Sequence, residues 1–223
     1  VGRGDRRPRQ PGDDVAGGAA AGLDAQKKSL RAAARDEDAR AAWREQAAAL
    51  DPAALVFVDE TSTNTAMTPR TARAPRGQRA VGSAPRNHGP HVTLLAALTP
   101  DGVGPAMALP GALDGPAFAL YAERVPAPAL RPGQVVVLDN LSAHKNDDAR
   151  KAVEAAGGRL LFLPAYSPDF NPIELAFAKV KPALRRAAAR TPDDLLAATA
   201  AAIDAVTASD ARGYYAHCGF PLP

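Results

Sequence analysis

Two short runs, "ALVFVDE" at 54–60 and "QVVVLDN" at 134–140, constrain this chain more than any other feature. Each is rich in β-branched residues, too short for a helix, apolar at successive positions, and ended by an acid. Unbroken apolarity of this kind suits a strand buried on both faces, which requires a sheet with helices on either side. In such sheets ligands gather beyond the carboxyl ends of parallel strands. Two neighbouring strands of this type therefore bring Asp59 and Asp139 side by side. For one Asp, opening a turn or capping a helix is the simpler explanation; a matched pair argues for a shared site.

The remaining pattern fills in a mixed α/β layer fold. "HVTLLAAL" (91–98) and "GPAMAL" (104–109), separated by the turn "TPDG", read as a hairpin, and "GPAFALYAERV" (115–125) has helical spacing. "DDARKAVEAAGG" (147–158) is a helix with a glycine stop, "RLLFLP" (159–164) a strand, and 171–189 a long helix in which Pro182 is expected to kink or shift the ends. The last expected helix, 191–206, opens with a Thr cap, a proline and two acids.

Upstream, residues 1–25 are rich in Gly, Pro, Ala and charge and read as a flexible lead or linker. Residues 26–50 read as a helical connector docked through Trp43, and 51–223 as the domain that holds the sheet. With no initiator Met, the sequence is expected to begin inside a longer or processed product. The lone cysteine, Cys218, excludes an internal disulfide framework or a cysteine zinc cluster, and no apolar run approaches the ~20 residues of a membrane span. A soluble, cytoplasmic protein is expected.

Net charge is only +3, but its distribution is uneven. Thr61 to His91 holds five arginines (Arg70, Arg73, Arg76, Arg79, Arg86) and no acid; Leu175 to Thr191 holds Lys179, Lys181, Arg185, Arg186 and Arg190, again with no acid. Either stretch read alone is a solvated face. Together, beside a carboxylate site, they point to a polyanion.

A third carboxylate lies in "LPAYSPDFNPIEL" (163–175). Glu174 follows Asp139 with 34 residues between them, enough for a helix, a strand and a loop. Asn171 reads as a helix cap rather than a ligand, with Pro172 at the first helical position and Glu174 at the third. Adjacent carboxylates stay ionised only with positive charge between them, and a hard divalent cation with oxygen ligands is the natural candidate. Three such acids suit two Mg²⁺ (or Mn²⁺) ions acting on a phosphate. The four histidines have no metal-ligand spacing. His144 and Lys145, just beyond Asp139, are candidates for contact with a phosphate, together with Asn140. Glu60, pointing away from Asp59 on an extended chain, is given a structural role.

"VFVDET", "RAPRGQR", "VVVLDNLSAHK", "LPAYSPDFNPIE" and "YYAHCGF" together resemble transposases of the bacterial insertion-sequence-630 family, within the mariner superfamily, over about residues 25–220. The resemblance implies a ribonuclease-H-like, retroviral-integrase-like mixed sheet flanked by helices, with Asp59, Asp139 and Glu174 as catalytic metal ligands. It implies cleavage at element ends and strand transfer into TA targets, with double-stranded DNA as partner, a homodimer as the working form, and a bacterial, nucleoid-associated setting. An amino-terminal helix-turn-helix is part of the family pattern, and nothing before residue 25 reads as one. Arg73, Arg76, Arg79, His144, Lys145, Lys179 and Lys181 are the expected DNA contacts. The competing reading is an inactive, element-derived DNA-binding remnant.

Overall fold

A computed structural model describes residues 32–223, and residues 33–223 form one compact unit. The flexible lead expected over 1–25 lies outside the described residues. The sheet has five strands: β1 (Leu55–Asn64), β2 (His91–Thr99), β3 (Gly102–Pro110), β4 (Val135–Leu138) and β5 (Arg159–Phe162). Their order is β3-β2-β1-β4-β5, with β2 antiparallel to both neighbours and β1, β4 and β5 mutually parallel. This is the mixed sheet of a ribonuclease-H-like fold, and it makes Asp59 and Asp139 neighbours as expected.

Burial follows the unbroken apolar runs. One face of β1 and β4 contributes Leu55, Phe57, Val135 and Val137 to a core shared with α1 (Glu37–Ala48), α4 (Ile173–Ala187), α5 (Pro192–Asp204) and α6 (Ala208–His217). The other face contributes Val56, Val58, Val136 and Leu138 to a core under α2 (Gly115–Arg124) and α3 (Asp147–Ala155). Residues of both parities are therefore buried, as a sheet covered on two sides requires.

Four features depart from the sequence pattern. β1 runs on to Asn64 because Thr61 and Thr63 are buried while Ser62 is exposed, a β-branched alternation that continues the strand. The helix carrying Glu174 starts at Ile173 with Pro172 preceding it and no side-chain cap; Asn171 is employed elsewhere. Pro182 lies inside α4, which continues to Ala187. Finally, α6 is a helix that the pattern does not announce. The Tyr215 hydroxyl in it donates to the carbonyls of Leu55 (2.7 Å) and Leu98 (3.0 Å), tying α6 across β1 and β2 and accounting for part of the "YYAHCGF" block.

The helix expected as a connector also packs into this unit. Trp43 stacks on Phe170 with ring centroids 5.0 Å apart and meets Phe220 edge-on. Arg40 is fully buried, lies 3.9 Å over the Phe170 ring, and donates twice to Asp169. Among the described residues no helix is long and apolar enough to cross a membrane.

Candidate active site

Pairing between β1 and β4 ends at Phe57 and Val137, so the chain beyond those residues opens a notch at the sheet's carboxyl edge. Asp59 stands on β1 above that notch and Asp139 follows the last residue of β4. From β5 the chain passes through "LPAYSPDFNP" to α4, whose first turn carries Glu174. All three carboxylates line one cavity of about 430 Å³, with Asn140, Leu141, Tyr166 and Asn171 among its walls.

Each carboxylate is held differently. Asp59 is only 7% exposed; its Oδ1 accepts from the Glu60 backbone N–H (2.8 Å) and its Oδ2 from Asn171 Nδ2 (2.8 Å). Burial, then the charge of Glu60, opposed by that N–H, and finally the charges of Glu174 and Asp139, push its carboxyl up to about 8. Asp139 is half-buried, which alone would raise it, yet the hydrogen bonds from His144 and from the Leu141 N–H (3.0 Å) hold it below the usual range. Glu174 is exposed at the cavity's edge.

His144 occupies a place the sequence does not reveal. Its Nδ1 is 2.6 Å from Asp139 Oδ1 and its Nε2 is 3.0 Å from Glu60 Oε2, with the ring against Phe118. Burial opposes its charge, but the hydrogen bonds to Asp139 and Glu60 and the charges of both carboxylates raise it to about 9. Fully buried with both nitrogens engaged, His144 has no face left for a phosphate. The expectation of direct DNA contact is corrected: this histidine ties the exit of β4 to the residue after Asp59. Glu60 is the histidine's second partner.

The remaining candidates separate into three groups. Lys145 is exposed, and Lys181 lines a groove of about 690 Å³ with Glu174, Glu60, Ser62 and His91, so this groove adjoins the carboxylate cavity. Lys179, by contrast, is paired with Asp210 of α6. Arg73, Arg76 and Arg79 project from the long connection between β1 and β2, which is exposed from Pro69 to His91 and has no regular structure. That connection is pinched at its base. Arg190 donates to the carbonyls of Thr65 and Met67 (3.0 and 3.1 Å), and a Cβ on Gly89, whose φ is +66°, would fall 2.3 Å from Thr65 Oγ1.

A divalent ion is what this donor set suits. The residues supply hard oxygens only, and Asp59 is buried among like charges that a cation would relieve. Asn171 Oδ1 is buried without a hydrogen-bond partner beside them. Among the described residues no three such side chains already converge on one point. Glu174, exposed and on a rotatable side chain, has the freedom to approach the two aspartates.

The fold has close counterparts among solved structures. A pre-cleavage Mos1 transpososome aligns with a TM-score of 0.65 at 17% identity, over 89% of this chain and 64% of that one. The Mos1 mariner paired-end complex with Mg aligns at 0.63 and 16%, over 89% and 65%, and a counterpart was solved with Mn. The isolated Mos1 catalytic domain aligns at 0.53 and 14%, over 82% and 83%. The chain thus spans just under two thirds of the length of the Mos1 chains in those complexes. No curated protein matches by sequence. A family profile for the DDE superfamily endonuclease domain covers residues 54–196, more than half of the chain and all three carboxylates, so the protein belongs to the DDE superfamily of endonucleases.

Proposed function

We propose that this chain is the catalytic part of a mobile-element transposase of the insertion-sequence-630 type. Its substrates are double-stranded DNA: the element's ends, which it cuts, and a TA-containing target, to which it joins the released 3′ ends as a homodimer. The observation that carries the reading is that Asp59, Asp139 and Glu174, from two adjacent parallel strands and a helix start, all line one cavity.

Asp59, Asp139 and Glu174 would hold two Mg²⁺ (or Mn²⁺) ions, which supply activation of the attacking oxygen and charge for the leaving oxygen of an in-line displacement. The protein's own part is placement. Asn171 and the Glu60 N–H fix the Asp59 carboxylate, and His144 fixes that of Asp139. Lys145 and Lys181 contribute positive charge for the backbone on either side of the scissile phosphate, and Arg73, Arg76 and Arg79 hold the duplex further out. Water attacks in the first step and a 3′-hydroxyl in the second, without a covalent protein intermediate.

The test is divalent-dependent nicking and joining of DNA carrying the element's ends. Asp59→Asn, Asp139→Asn and Glu174→Gln should each abolish cleavage while leaving folding and DNA binding largely intact. Activity within about tenfold of the parent would remove that residue from the site. A chain that binds DNA but cuts none with either metal would be the inactive remnant instead.

A further inference from the structure

Tyr166 is one of two non-glycine residues with positive φ among the described residues, at +56°. A side chain bearing a Cβ resists this left-handed conformation, and glycine or asparagine is the usual occupant. The chain on either side is firmly seated: the Leu163 N–H donates to the Leu138 carbonyl at 2.7 Å, and Ser167 and Phe170 are buried. The strained residue therefore sits between fixed points and turns its ring outward, where it is 61% exposed. No described residue hydrogen-bonds its hydroxyl or stacks on its ring. Only five large apolar side chains among the described residues are exposed, and two of them, Tyr166 and Leu141 (39% exposed), stand on the wall of the carboxylate cavity.

An exposed aromatic face beside a site for a phosphodiester fits a nucleobase. Stacked bases inside a duplex present no free face, so the occupant is an unpaired base next to the phosphate being cut. We propose that Tyr166 is the stacking platform for that base, with Leu141 as the apolar contact from the β4 side, and that it positions the strand for reaction. Salt-dependent contacts hold the duplex; the ring fixes the one nucleotide whose phosphate must meet the carboxylates. This rests on reading the cavity as a DNA phosphodiester site.

The test uses the full chain in a metal-free buffer, with a blunt duplex and the same duplex bearing a short single-stranded overhang with 2-aminopurine at the junction. The parent should quench the 2-aminopurine and prefer the overhang duplex. Tyr166→Phe should keep both properties. Tyr166→Ala and Tyr166→Gly should lose the quenching and about tenfold of the preference, with the salt dependence unchanged. Tyr166→Gly should also raise Tm by about 2–4 °C by relieving the left-handed strain, so its loss of stacking is not a loss of folding. Retained quenching and preference in both the Ala and Gly variants would overturn the proposal. Metal-dependent cleavage by the parent is scored separately. Base stacking without cleavage under any metal defeats the catalytic reading alone, whereas cleavage with an indifferent Tyr166 defeats the stacking role alone.

Discussion

Buried to 7% exposure and near the charges of Glu60, Glu174 and Asp139, Asp59 holds its proton up to about pH 8 when no cation is bound, whereas the unfolded chain releases it near 3.8. Between those values the folded state binds more protons than the unfolded one, so stability falls as pH rises. In chelator, Tm should decline from pH 4 to pH 8, and Asp59→Asn should remove much of that decline and be the more stable protein at pH 8. Mg²⁺ should recover part of the loss in the parent but not in the variant. Parallel Tm profiles for parent and variant would mean that the Asp59 charge is already compensated. Of these residues, Asp59 and Asp139 are legible in the sequence because an apolar strand that stops at an acid announces itself locally. His144 and Asn171 are not, since their partners Glu60 and Asp59 lie 84 and 112 positions away. Asn171 reads locally as a helix cap, and the hydrogen bond to Asp59 that wins is purely tertiary. The outward ring of Tyr166 depends on a φ that no side-chain pattern announces.

Among the elements, α1 shows how support for the site is built from outside it. Arg40 and Trp43 clamp Asp169 and Phe170, which immediately precede Asn171 and Glu174 in the chain. Asp169→Ala leaves the buried guanidinium without its bidentate partner. The expected cost is about 2 kcal/mol, below the roughly 3–5 kcal/mol of a fully buried pair, because Asp169 is 51% exposed and Glu37 remains 3.5 Å from Arg40 Nε. Urea unfolding measures the cost, and cleavage should fall with it if the loop carrying Asn171 is displaced. At the other end of α4, Ala188 ends the helix at φ +49°, and Ala188→Gly should stabilise by about 1 kcal/mol with no effect on DNA binding. Strands and helices with a dense apolar stripe are legible in the sequence to within a few residues. In α6 the only buried residues are Ala211 and Tyr215, so its small and polar sequence presents no stripe to read.

At the scale of the molecule, the proposed DNA substrate has to be held by a chain whose net charge is only +3. Its described free cations are arranged at two distances from the carboxylates. Lys181 lies in the adjoining groove, whereas Arg73, Arg76 and Arg79 lie on the connection that leaves the sheet at Asn64 and returns at His91. Asn64 is five residues beyond Asp59 on an extended strand, about 17 Å at ~3.3–3.4 Å per residue. The base of the arginine connection therefore lies a strand's length from Asp59, beyond the reach of a side chain. The connection holds no acid and its base is pinned by Arg190, so on the proposed reading these guanidiniums pair with phosphates. Each phosphate that a side chain neutralises should add about 0.9 to the magnitude of the log-affinity against log-salt slope. The triple substitution Arg73→Ala, Arg76→Ala, Arg79→Ala should thus flatten the slope by about 2.7, and Lys181→Ala by about 0.9, when binding to a long duplex is measured across a salt series. Metal affinity should hardly change in the triple variant, because none of its arginines lines the carboxylate cavity. An unchanged slope would make the arginine connection a solvated face and leave the grip to the groove alone.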